Sequence, residues 1–139
     1  MQVWILRKSY DDTIEGVYTP ACKAKKEEAL LDMAIERREK FNARLTMEIL
    51  ELRELRQPYI IEAEELLEKE QEAKAENHTG KLKAVRKQRK VLLRQAEHLT
   101  YDIRKLEEQI LASQRLTKEA LRLEFGEHYY WEDYYLEGE

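Results

Sequence analysis

The side chains best suited to chemistry in this sequence are three histidines, one cysteine, a run of basic residues and a cluster of tyrosines. His78, His98 and His128 lie far apart. His98 has no partner at the four-residue spacing that would set two ligands on one helix face, so no zinc-type motif forms. Cys22 falls in the expected first turn of a helix, where the dipole can lower a thiol's pKa, but no histidine lies nearby in sequence to act as a base. A single cysteine also leaves no internal disulfide and no Cys-pair metal motif, and a lone thiol fits a reducing cytoplasm. Pairs such as Glu64-Glu65 and Glu107-Glu108 read as solvated helix faces rather than a buried acid–base pair. No P-loop, GxGxxG, GxSxG or HExxH occurs. These observations point away from an enzyme: no catalytic residue, metal or cofactor is expected.

The remaining two groups are binding signals. Lys81, Lys83, Arg86, Lys87, Arg89, Lys90 and Arg94 form a basic run without an intervening acid, a potential nucleic-acid footprint. Its structural alternative is that it answers the acidic arm Glu62–Glu76, which holds seven acidic and two basic residues. No aromatic residue lies within the run to stack on bases. The tail offers Tyr129, Tyr130, Trp131, Tyr134 and Tyr135, residue types favoured as binding anchors. Alternation places Tyr129, Trp131 and Tyr135 on one face and Tyr130, Tyr134 and Leu136 on the other, so one face can cover helices and the other can meet a partner. The alternative is a small sheet packed on both sides. Glu127, Glu132, Asp133, Glu137 and Glu139 surround the rings and would repel phosphate.

The elements that must position these groups are legible from periodicity. Residues 2–8 alternate as a strand, Tyr10-Asp11-Asp12 is turn-like, and Thr13–Tyr18 (TIEGVY) reads as a second strand. Thr19-Pro20 is a helix start: threonine caps free N–H groups and proline at the first helical position has none to waste. From Pro20 to about Glu76 nearly every residue favours helix. Leu31, Ala34, Phe41, Leu45, Leu52, Leu55, Tyr59, Leu66 and Ala73 form a heptad-spaced stripe, with a kink expected near Glu54–Pro58. Asn77-His78-Thr79-Gly80 breaks the pattern. A second helix is expected from Lys81 to Glu124, with the stripe Leu82, Val85, Leu92, Ala96, Leu99, Ile103, Leu106, Ile110 and Ala120 and polar exceptions Arg89, Ser113 and Thr117. Gly126 ends it, and the aromatic tail forms a third strand that returns to the N-terminal hairpin, because a two-stranded ribbon is marginal alone.

The predicted fold is therefore mainly α with a small β-sheet. Residues 1–19 and 126–139 make a three-stranded antiparallel sheet cap, and residues 20–125 make a long antiparallel helical hairpin turning at 77–80. Folding there lays the acidic and basic arms side by side, which disfavours slipped or parallel pairings. Helices of roughly 80 and 65 Å cannot wrap a globular core. A second apolar set (Leu30, Ile35, Ile49, Leu50, Ile60, Leu67, Leu93, Leu111, Leu116 and Leu121) falls off the main stripes and suggests a further helical layer. A homodimer or higher homo-oligomer would supply it.

Composition agrees. Charged residues make up 39% of the chain, mean hydropathy is -0.79, and Gly and Pro are scarce, the profile of long solvated helices. A net charge of -4 creates no global attraction for nucleic acid or anionic membrane. The N-terminus lacks the basic segment and long apolar core of a signal peptide, and no apolar run would span a membrane. The expected setting is the cytoplasm.

The two ends, MQVWILRKSYDDTIEGVYTPACKAKKEEA and YYWEDYYLE, resemble a small domain of unknown function found in phage and bacterial genomes. That family begins with a strand at the initiator Met, continues through a short "GVY/F" strand and a helix beginning Ser/Thr-x-x-Lys-Ala, and closes with a "YxIEEYEL"-like strand. Ile14–Tyr18, Thr19–Ala24 and Tyr129–Leu136 carry the resemblance, and the long hairpin departs from it. The resemblance implies an α+β mini-domain with a coiled-coil insertion, no catalytic residues, and a phage-encoded inhibitor or modulator of a host protein, in anti-defence or host takeover. The sequence thus points to a non-enzymatic protein–protein interaction protein acting in the host cytoplasm, with nucleic-acid binding through residues 81–94, or small-ligand binding at a dimer interface, as alternatives.

Overall fold

The computed structural model describes residues 1–136. Its elements run β1 (Gln2–Lys8), β2 (Ile14–Tyr18), α1 (Pro20–Ala75), α2 (Thr79–Gln114), α3 (Lys118–Phe125) and β3 (Tyr129–Tyr135). The fold is mainly helical: α1 and α2 make a long antiparallel hairpin, and the terminal strands make a three-stranded antiparallel sheet. The chain packs as two compact units, Met1–Asn42 with Ala112–Glu139, and Ala43–Leu111. No helix among the described residues is long and apolar enough to cross a membrane.

Residues 43–111 contain the turn and both charged arms. Buried Leu45, Ile49, Ala63 and Ala73 on α1 face the hairpin seam, as do Val85, Ala96 and Ile103 on α2. Half-buried Leu52, Arg56, Tyr59, Leu66 and Glu70 fill the intervening steps of three and four. Leu55, expected in this stripe, is instead 60% exposed. The seam position next to it belongs to Arg56, which a purely apolar reading passes over. Ile49, assigned to the surplus set, is buried, as are Leu30 and Leu121 in the other unit. α1 stays helical through Pro58, so no break occurs there.

The turn follows from two residues. Asn77 adopts φ 55, a left-handed conformation that asparagine tolerates. Its N–H donates to the Lys74 carbonyl and the His78 N–H donates to the Ala73 carbonyl, at 3.3 and 3.0 Å, closing α1 in a Schellman arrangement. His78 then opens α2: its Nδ1 accepts from the Lys81 N–H at 3.0 Å and its carbonyl accepts from the Leu82 N–H at 3.0 Å.

In the other unit, the helix expected to run to Glu124 breaks at Arg115–Thr117 and restarts as α3. Thr117 is extended (ψ 163) and its Oγ1 accepts from the Ala120 N–H, so the residue read as a polar exception within one helix is the N-cap of another. Near this break Ser113, 4% exposed, donates to Asn42 Oδ1 at 2.8 Å. Phe41 and Phe125 pack with ring centroids 5.4 Å apart.

The sheet order is β2-β1-β3, with the N-terminal strand in the centre. β1 pairs with β3 in one continuous register from Gln2↔Tyr135 to Lys8↔Tyr129. Its pairing with β2 shifts between Leu6 and Arg7, so Leu6 faces Gly16 while Arg7 faces Ile14. This bulge leaves Glu15 as the extra residue and brings Ile14 and Val17 onto the same face despite their odd spacing. A Cβ at Gly16 would stand 2.7 Å from the Tyr18 ring, so a larger residue there would force that ring to shift.

Candidate functional site

The two faces of the sheet have different contents. The inner face carries Trp4, Leu6, Tyr18 and Trp131 against the start of α1. Leu6 is fully buried at 0% exposure. Tyr18 meets Trp131 edge-on with centroids 5.5 Å apart. The Lys23 ammonium sits 3.9 Å from the centre of the Trp4 ring and 5.5 Å from that of Trp131, a cation–π contact from α1 that pins the helix to the sheet. Thr19 caps α1 as expected, its Oγ1 accepting from the Cys22 N–H at 3.3 Å.

The outer face is assembled from all three strands. The register places Val3, Ile5 and Arg7 of β1 between Ile14 and Val17 of β2 and Tyr130, Glu132 and Tyr134 of β3. Ile14, Val17 and Tyr134 are more than half exposed. Across the middle, Arg7 Nε donates to Glu132 Oε2 at 2.8 Å, and Arg7 Nη1 donates to the Asp12 carbonyl at 2.9 Å. The Tyr130 hydroxyl donates to Asp12 Oδ1 at 2.6 Å, and this bond to a carboxylate raises the phenol's pKa. Asp12, at φ 59, shapes the β1–β2 turn, so Arg7 and Tyr130 lash that turn to β3. Tyr134 makes no side-chain hydrogen bond among the described residues.

The tyrosine cluster read from the sequence therefore divides. Tyr129 and Trp131 are half-buried on the inner face, whereas Tyr130 and Tyr134 lie on the outer face. The Tyr129 pKa is raised by burial and then by its bond to Glu127. Tyr135 shares the parity of Trp131 but is 66% exposed near the strand end. Glu137 and Glu139, expected beside the rings, lie outside the described residues. Sequence reasoning missed Arg7, Ile14 and Val17. The bulge that brings Ile14 and Val17 together has one sequence signal, a glycine inside a strand.

β3 is also an open edge: no strand among the described residues pairs with its far side. The Leu136 N–H donates to the Met1 carbonyl and the Ser9 N–H to the His128 carbonyl. In an antiparallel ladder these bonds alternate along the strand. The backbone groups of Tyr130, Glu132 and Tyr134 thus turn toward β1, and those of Tyr129, Trp131, Asp133 and Tyr135 turn outward.

The basic run is dispersed along exposed α2 and reaches its acidic counterpart at one point. Arg86 Nε and Arg89 Nη1 donate to the two oxygens of Glu70, at 2.8 and 3.3 Å. Arg86 is the main cause of the lowered Glu70 pKa. Among the described residues no other acid of Glu62–Glu76 comes within ion-pair distance of Lys81–Arg94. No cluster of three His, Cys, Asp or Glu side chains that could hold a metal occurs among the described residues. His78 serves as a helix cap, and Cys22 is exposed. A scan against family models, a search of curated proteins and a search of solved structures each return no match.

Proposed function

We propose that this protein is a non-catalytic binding protein that captures an extended segment of a partner protein along β3, using the outer face of the sheet. One observation carries the reading. A sheet face with Ile14, Val17 and Tyr134 more than half exposed around a buried Val3 and the Arg7–Glu132 pair adjoins a strand edge that has no partner strand among the described residues. An added strand would gain main-chain hydrogen bonds from the edge and side-chain specificity from alternate positions on the face. Asp133, which makes no ion pair among the described residues, favours a basic segment and repels phosphate, whereas Glu132 and Glu127 are already paired with Arg7 and Arg37. Arg7 and Tyr130 hold the turn in place, so little of the surface needs ordering on binding.

The test is selection from a displayed library of random peptides. Enriched sequences should alternate apolar residues with Lys or Arg. Their binding should be strongly weakened in Tyr134→Ala and in Asp133→Pro, which removes one outward N–H while leaving the β1 ladder intact, but kept in Asp133→Asn. Failure to enrich any sequence, or binders indifferent to both changes, would overturn the proposal.

Nucleic-acid binding is the second reading. It is supported by the five basic residues of Lys81–Arg94 that make no ion pair among the described residues. A gel shift at low salt with duplex and single-stranded probes tests it, and absence of any shift removes it.

A further inference from the structure

The hairpin leaves most of its complementary charge unused. One acid of the seven in Glu62–Glu76 meets the basic arm, although the two arms run side by side. The rest faces outward, on surfaces that also carry leucines.

One side of the hairpin is defined by the Arg53–Glu107 ion pair, 3.1 Å long. Each of these residues lies just off the seam, and heptad spacing places Ile60 with Leu67 on α1 and Thr100 with Leu93 on α2 along the same side. Leu67 is 36% exposed and Leu93 39%. They sit at the same level, because Leu66 and Leu92, their immediate neighbours, line one groove. Around Leu93 is a recess of about 380 Å³ lined by Arg86, Arg89, Lys90, Leu93, Arg94 and Glu97. Leu67 is flanked instead by exposed Glu64 and Glu68. A leucine between acids and a leucine-floored recess lined by four bases and Glu97 therefore stand side by side at one height.

We infer that this side of the hairpin is a docking surface for a second copy of the chain, related by a two-fold axis parallel to the hairpin. That operation sets α1 of each copy against α2 of the other without changing level. Leu67 of each copy then enters the recess at Leu93 of the other, and Glu64 and Glu68 meet Lys90 and Arg94. The contact occurs twice, and both times acid meets base. Inverting one hairpin end for end would carry the acidic arm away from Lys81–Arg94 and forfeit this match, so the charge pattern selects the parallel arrangement.

The test is sedimentation or light scattering of the whole chain at micromolar concentration. The wild type should run at twice the chain mass of 16.7 kDa. Glu64→Lys with Glu68→Lys in one chain, and Lys90→Glu with Arg94→Glu in another, should each run as monomers with unchanged helicity. Mixing the two should restore the doubled mass, because both contacts of the mixed dimer are again complementary. A monomeric wild type, or swapped chains that each stay dimeric alone, would overturn the inference, as would swapped chains that fail to pair on mixing. If a swapped chain loses helicity, Leu67→Cys and Leu93→Cys in a Cys22→Ser background serve instead. Mixed and oxidised, they should form a disulfide between chains, and its absence would also overturn the inference.

Discussion

The edge of β3 and the charged arms of the hairpin are both exposed surfaces with unused bonding capacity, yet they treat a second copy of the chain in opposite ways. β3 carries Glu132 and Asp133 mid-strand and no basic residue. Two copies pairing through this edge would set acid against acid, and like charges directly opposite destabilise a strand pair. Next to its turn the hairpin concentrates acids on α1 (Glu62–Glu76) and bases on α2 (Lys81–Arg94), so a two-fold partner would bring unlike charges together. Under the two proposals, charge placement separates the surfaces: the strand edge disfavours self-pairing and would accept a basic foreign segment, while the hairpin would accept its own copy. Edge strands in natural proteins are commonly protected by charge in this way.

The largest expected effect tests the contrast between the two faces of the sheet. Leu6→Ala removes a fully buried side chain and should cost about 2–5 kcal/mol, read as a lowered denaturant midpoint. Tyr134→Ala, on the exposed face, should shift that midpoint by no more than about 0.5 kcal/mol. It should nevertheless weaken capture of a selected peptide by roughly 30-fold, equivalent to about 2 kcal/mol. A strong loss of stability in Tyr134→Ala would mean that the outer face is structural.

The hairpin seam allows a subtler test. Arg56 donates to Thr100 Oγ1 at 3.0 Å, while its Nε is buried without a hydrogen-bond partner. An apolar side chain here avoids that desolvation, so Arg56→Leu should raise stability by about 1 kcal/mol. A clear drop in the denaturant midpoint would show that Arg56 contributes net stability as well as register.

The smallest effect concerns pH. The Arg86 guanidinium, with Arg89, holds the Glu70 carboxyl below its ordinary range. A depressed folded-state pKa stabilises the fold above the unfolded value and loses that contribution as pH falls through the folded value. Wild type should therefore melt above Glu70→Gln at neutral pH, and the gap should close as pH falls below about 4.5, the ordinary glutamate value. A gap that persists in acid would assign the effect to packing rather than charge.

Much of the fold was legible because two periodicities and a few punctuating residues encode it locally. Thr19-Pro20 starts α1, and Asn77 with His78 ends it and opens α2. Heptad spacing names most of the seam, and strand alternation separates Trp131 from Tyr134. The apolar stripe takes Leu55 as a seam residue and passes over Arg56, because neighbouring positions on a helix differ by only about 100° and local apolarity alone does not decide which faces the partner helix. The break at Arg115–Thr117 was missed because threonine serves either within a helix or as its cap. The candidate site was half legible: its tyrosines stand out in the sequence, but their partners Arg7, Ile14 and Val17 come from strands more than a hundred residues away.

By itself the sequence determined where the chain is helical or extended, apart from the break at Arg115–Thr117, where it turns at Asn77–Gly80, and that acid and base would lie on facing helices, since all of these follow from spacing and residue type over a few turns. Only the tertiary structure decided that β2 and β3 lie at the sheet's edges, which tyrosine is tethered and which is bare, and how few of the opposed charges meet. Those outcomes depend on strand register and on the distance between helix surfaces. Both are set by packing between segments remote in the chain, which no local pattern records.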